Sequence, residues 1–259
     1  MALAEFCDNC DLNFGVDYSN YFFEDRITLL RGPRVVDADF SKFLEAYPQA
    51  DTTNVSRDDA IAWLSCCADP NIVRGGAPSY TIVQVNAYYL NAQVMEHTAI
   101  DVYANYTWNT DDYGSIRVGL EATHIDEFSY DLGGGVTGDA VGKQNLGIDV
   151  IPTLPEQRAI ASINWSRDNT NLLLRARWNK EVDAAWTSVD IDALTYLDLT
   201  YTHRLDGLSG SGSNTVLEIG GRNITDEYPT PLGAFGASIE LSIHDPRGRM
   251  FFVRAKHAF

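Results

Sequence analysis

Apolar and polar residues alternate strictly in eight segments of the chain. A period of two gives each segment one apolar face when it is extended. In the first, Leu12, Phe14, Val16 and Tyr18 alternate with Asn13, Gly15, Asp17 and Ser19, and the strand can run on towards Leu30. The second ends with Ile100, Val102, Ala104, Tyr106 and Trp108 set against Asp101, Tyr103, Asn105 and Thr107. The third sets Ile116, Val118, Leu120 and Ala122 against Arg117, Gly119, Glu121 and Thr123. Ala159, Ala161, Ile163 and Trp165 make the fourth, with Ile160 the one apolar residue on the wrong parity. Leu172, Leu174, Ala176 and Trp178 make the fifth, and Leu197, Leu199 and Tyr201 the sixth. The seventh is short, with Leu217 and Ile219, and Phe251, Val253, Ala255 and Phe259 close the chain. The opposite faces carry Arg117, Glu121, Arg175, Arg177, Asp198, Glu218, Arg222, Arg254 and Lys256, so that side is wet or densely hydrogen-bonded.

The connections alternate in length. Arg31–Ser79 is long and Asn109–Gly114 short; Asp131–Pro155 is long and Ser166–Thr170 a turn. Asp183–Ala193 is intermediate, Leu205–Ser213 a Gly/Ser-rich turn and Asn223–Arg247 long. Even strand number, short turns at one end and long loops at the other predict an all-β fold, an antiparallel transmembrane β-barrel portion of about eight strands with long external loops and short periplasmic turns. Trp108, Trp165 and Phe259 fall at the short-turn end, where an interfacial aromatic girdle belongs. Ser56-Arg57-Asp58-Asp59 before the apolar run Ala60–Leu64, with Pro70 beyond it, predicts one short helix inside the first long loop.

Composition narrows the function. The 259 residues carry a formal charge of -17, which disfavours a nucleic-acid partner that would be held by phosphate neutralisation. No apolar run approaches the ~18 residues of a membrane-spanning helix. The chain has 5 Trp, 13 Tyr and 11 Phe beside 20 Gly, which favours strands and turns. The N-terminus lacks the basic start, apolar stretch and cleavage site of a secretory signal. Cys7 with Cys10 and Cys66 with Cys67 are compatible with loop disulfides; zinc is disfavoured because the second pair is adjacent rather than spaced as a ligand knuckle.

Enzyme chemistry finds little support. Gly133–Gly138 lacks the Lys-Ser/Thr of a phosphate loop and reads as an external loop. His97, His124, His203, His244 and His257 have no ligand spacing and read as strand and loop surface. No serine sits in a nucleophile elbow. Asp111-Asp112 with Gly114 is the composition of a tight turn rather than a calcium site. The sequon matches at Asn54 and Asn105 read as chance. The chain is expected to be no enzyme and to need no cofactor.

Several motifs carry a family resemblance. Leu217–Pro229 (LEIGGRNITDEYP) is similar to the penultimate barrel strand and its exit in TonB-dependent outer-membrane receptors, with Asn223 and Asp226 in the motif. Asp245-Pro246-Arg247-Gly248-Arg249 resembles the segment leading into that family's last strand, with Asp245, Gly248 and Arg249 in motif positions, and Phe259 resembles its C-terminal assembly signal. Val16–Ile27, Tyr89–Ala92 with Ile100-Asp101, and Pro155–Trp165 fit as well; Ala99 departs from the usual glycine, which bears on local strand geometry.

The resemblance implies that residues 1–259 are the C-terminal part of a receptor barrel of about twenty-two strands, with neither plug domain nor signal peptide, and that 31–79 is a long external loop. It implies active uptake of a scarce solute (siderophore, cobalamin, metal chelate or oligosaccharide) across the outer membrane of a Gram-negative bacterium, incomplete in this chain. The implied partners are outer-membrane lipid, the barrel-assembly machinery, an unidentified small solute, and TonB only through the missing plug. Two alternatives stand beside it: a self-contained eight-stranded barrel with a structural or adhesion role, and a soluble acidic β-sandwich binding carbohydrate.

Overall fold

The computed structural model describes residues 9–51, 53–132, 137–145, 151–185, 190–207, 214–232 and 239–258. Along the chain lie β1 (Cys10–Leu30), α1 (Gly32–Ala46), α2 (Arg57–Cys66), β2 (Ile72–Arg74), β3 (Ile82–Val85), β4 (Tyr88–Thr110), β5 (Gly114–Asp131) and β6 (Thr137–Asp139). They are followed by β7 (Gln157–Arg167), β8 (Thr170–Asn179), β9 (Leu194–Asp206), β10 (Asn214–Arg222) and β11 (Met250–Ala258). One hydrogen-bonded path runs β1-β4-β5-β7-β8-β9-β10-β11, with β6 on β5 and β2-β3 as a separate pair. The fold is all-β, and the eight strands of the path are the eight alternating segments in chain order. Each pair from β5/β7 to β10/β11 is antiparallel.

The path ends at β1 and β11, and among the described residues no ladder joins these two, so the closure that the alternative of a self-contained barrel requires is not found there. Among the described residues the second sheet has two strands. β4 runs unbroken through Ala99, so the missing glycine does not interrupt it.

Strand register sorts the side chains. Val118 pairs with Ile163, Ile163 with Leu174, and Leu174 with Leu199. Leu199 pairs with Gly221, and Ile219 with Val253, on the same apolar face. One residue along, Glu121 pairs with Ile160, Ile160 with Arg177, Arg175 with Asp198, and Glu218 with Arg254. The misfit Ile160 therefore sits among charges. Ion pairs tie that face together: Arg177 to Asp198 at 3.2 Å and Arg254 to Glu218 at 3.0 Å. The large apolar side chains of the other face are uncovered; Ile163 is 48% exposed, Ile219 55% and Val253 76%.

The chain divides into two compact units, one comprising the residues up to Ser19, Thr98–Asp126 and those from Pro155 onward, the other Asn20–His97 and Glu127–Leu154. In the first, the buried apolar cluster is Val182, Ile191 and Leu232, all in connections rather than on the sheet. Its tight β4–β5 turn needs Gly114, whose φ is +80° and whose absent Cβ would collide with the Ser166 carbonyl. In the second unit, Leu30, Val35, Ala38, Ile72, Met95, Tyr130 and Leu132 pack together.

Residues 31–79 hold more than one helix. The expected helix is α2; Ser56 stands at its N-cap but makes no side-chain capping bond, and Asp58 and Asp59 supply the favourable negative charge of the first turn. Helix α1, not anticipated, starts with Pro33 in its first turn and buries Val35, Ala38, Asp39 and Phe43. Asp39 links the pieces, accepting from Trp63 Nε1 at 3.1 Å and from the Asp69 backbone N–H at 2.9 Å, with Arg74 3.8 Å away. Cys66 and Cys67 form a disulfide with each other. The Cys7 side of the other expected pair, like Gly133–Gly135, lies outside the described residues.

Candidate functional site

In the first unit, at the end of the sheet where the long connections begin, a cavity of about 670 Å³ opens on the polar face. Strands β4 and β5 bring Asp101 and Glu121 to it, β7 brings Arg158, β8 Arg177, β9 Tyr196, and the β10–β11 connection supplies His244. The cross-strand register explains the grouping, because Glu121, Ile160, Arg177 and Tyr196 are successive partners across four strands. Thr123 donates to Asp101 Oδ1 at 2.6 Å, and the Arg177 guanidinium lies over the Tyr196 ring at 5.4 Å. The connection is pinned to the sheet by Asn179, whose Nδ2 donates to the Ile243 carbonyl at 3.0 Å. A second cavity of about 580 Å³ lies along the same face, lined by Arg175, Asp198, Glu218, Arg222 and Arg254 among others.

The motif residues are brought together in the β10–β11 connection. Asn223 is buried with φ +49°; its Nδ2 donates to the Glu227 carbonyl at 2.7 Å and its Oδ1 accepts from the Glu227 N–H at 3.0 Å. Its own N–H donates to Asp198 Oδ1 at 2.9 Å, which joins the loop to the Arg177 ion pair. Asp226 accepts from the Arg249 N–H at 2.9 Å and pairs with its guanidinium at 3.5 Å, while Gly248 makes the intervening turn at φ +65°. Asp245 stands apart from this knot, with its N–H donating to Tyr196 Oη at 3.3 Å and its carboxylate gripped by Arg247 at 2.6 Å. Phe259 lies outside the described residues.

The Arg247 side chain beside it holds the Asp245 carboxyl down at about 2. A depressed folded-state value contributes stability above the ordinary carboxylate value and loses it as pH falls through the folded one. The stability difference between the native chain and Asp245→Asn is therefore expected to be full above pH ~4 and to vanish as pH falls towards ~2. Urea titrations at stepped pH measure it; a difference independent of pH would mean the carboxylate charge is not what matters.

His244 corrects the reading of the histidines as surface. It is 5% exposed, and burial pushes its imidazole below the ordinary value despite Glu240. The others have partners: His124 faces Gln157, His203 faces Thr170, His257 faces Thr215, and His97 packs edge-on against Phe128. Among the described residues no group of three or more His, Cys, Asp or Glu is placed to hold a metal ion. Asp111-Asp112 lies in the expected turn, closed by Thr110 Oγ1 accepting from the Tyr113 N–H at 2.9 Å. No family model, curated protein or solved structure matches the chain.

Proposed function

We propose that the chain is part of the barrel of a TonB-dependent outer-membrane receptor that takes up a scarce solute, with the polar face of the sheet turned to the lumen and the apolar face to lipid. The observation that carries this reading is the register. It collects most of the large apolar residues of β5 and β7–β11 on one uncovered face, with Ile160, Leu173 and Phe252 the exceptions, and the Arg177–Asp198 and Arg254–Glu218 ion pairs on the other. A soluble layered protein buries its apolar sheet face against another layer, and contiguous exposed apolar surface marks an interaction site. A lipid-facing barrel wall has the opposite arrangement, apolar outward and polar inward. The sequence motifs that led to the family supply the second support, because Asn223, Asp226, Gly248 and Arg249 interlock at the entry to β11.

The long connections then lie outside the cell, and the cavity at Arg158, Arg177 and His244 is where solute first meets the wall. The outer edges of β1 and β11, which carry no ladder among the described residues, need further strands, since open sheet edges are not tolerated in lipid. Uptake itself belongs to the complete receptor, whose plug is drawn by TonB. The test is to attach a signal peptide, express the chain in a Gram-negative host, and follow fractionation and heat modifiability. Recovery of the chain in the outer-membrane fraction as an aggregated or unstably inserted species, with neither a compact heat-modifiable band nor stable single-channel conductance, is expected. A soluble periplasmic monomer would overturn the membrane reading, and a compact heat-modifiable band with stable channel steps would overturn the incomplete-barrel reading.

A further inference from the structure

Around the 670 Å³ cavity, three buried hydrogen-bonding atoms have no partner among the described residues: Nδ1 and Nε2 of His244 and Nε of Arg177. A neutral imidazole has one N–H donor and one acceptor nitrogen, and the arginine Nε–H is a donor only. Buried polar groups of this kind are ordinarily paired, so their coincidence at one cavity points to a ligand that completes them. The two side chains are held at set distances from one ring: the Arg177 guanidinium stands 5.4 Å from the Tyr196 centroid, and the His244 ring 6.3 Å from it, edge-on. Arg177 already engages Asp198 through Nη2, which leaves Nε for another acceptor. Arg158, on the neighbouring strand, is exposed and lines the same cavity. Asp101 and Glu121 lie on its β4 and β5 side, so the lining offers cationic donors on one part and carboxylate acceptors on another.

We propose that this cavity binds a small polyhydroxylated carboxylate, a sugar acid. Its carboxylate accepts from Arg177 Nε–H and from Arg158, one hydroxyl donates to the acceptor nitrogen of His244 while another accepts from its N–H, and further hydroxyls donate to Asp101 and Glu121. Hydroxyls are required as well as a carboxylate because His244 presents an acceptor nitrogen, and because Asp101 and Glu121 would repel a second anion. The solute class deepens the importer reading and rests on it for its biological sense, whereas binding to the detergent-solubilised chain and recovery in the outer membrane fail separately.

The experiment is calorimetric titration of the solubilised full chain with glucuronate, with glucose as the uncharged control. Saturable binding of glucuronate is expected, at least tenfold tighter than glucose, with His244→Ala and Arg177→Lys each weakening it at least tenfold. Because Arg177 also pairs with Asp198, Arg158→Gln, at an exposed position, provides a variant that leaves the fold alone and is expected to weaken glucuronate while leaving glucose unchanged. Equal affinity for the two sugars, no saturable binding of glucuronate, or unchanged affinity in both His244→Ala and Arg158→Gln would overturn the proposal.

Discussion

Leu199→Arg is expected to cost about 2–4 kcal/mol of the stability of the membrane-inserted, completed barrel, whereas Thr200→Arg costs much less, because cationic side chains are penalised on the lipid face near the midplane and tolerated on the lumen face. Leu199 lies between Leu174 and Gly221 on the apolar face. Thr200 lies between Leu173 and Gly220 on the opposite face and lines the second polar cavity, where a new guanidinium can stay hydrated. The two positions are adjacent in sequence and share their strand, so differences in β propensity or depth cannot separate them. A urea titration of the completed barrel refolded into vesicles measures both costs; equal losses would mean that the two faces see the same solvent.

The second large effect is at the motif loop. Asn223→Ala is expected to lose about 2–5 kcal/mol. The substitution removes both side-chain bonds to Glu227, each worth ~0.5–1.5 kcal/mol, and puts a Cβ-bearing residue with no compensating side-chain bond at φ +49°, which costs a further ~1–2 kcal/mol. Asn223→Gly recovers the conformational part only and is expected to fall midway. Asp226→Ala meets the same conformational cost, at φ +61°, but gives up one hydrogen bond, from the Arg249 N–H, and an exposed ion pair instead of two bonds of a buried side chain, so it is expected to cost less. Chemical unfolding of the three variants checks the order, and an Asn223→Ala loss no larger than that of Asp226→Ala would remove the buried asparagine from its role as the organiser of the loop.

The strands were readable because alternation is a local property: Leu172, Leu174, Ala176 and Trp178 declare a face whatever lies next to them. Ile160 broke the pattern for a reason that only register reveals, its position between Glu121 and Arg177. Helix α1 was hidden because its buried set includes Asp39, a charge that reads as surface until Trp63, Asp69 and Arg74 are seen around it. Sequence spacing also could not bring Asp226 to Arg249, which the chain places on the two ends of one long connection. The motifs named Asn223, Asp226, Gly248 and Arg249, but nothing in them indicated that Asp198 on β9 would receive the Asn223 N–H. His244 was invisible as a site residue, since its burial arises from the connection folding back over Tyr196 rather than from its neighbours in sequence.

The apolar face of the sheet meeting lipid is the claim on which the rest depends. A fluorescent non-canonical residue placed singly at positions 217, 218, 219, 253 and 254 of the chain in bilayers, with brominated lipid as quencher, tests it directly. Strong quenching at 217, 219 and 253 with weak quenching at 218 and 254, the period of two set by the β10–β11 register, is the expected result. Weak quenching at all five positions, or quenching without that alternation, would contradict it.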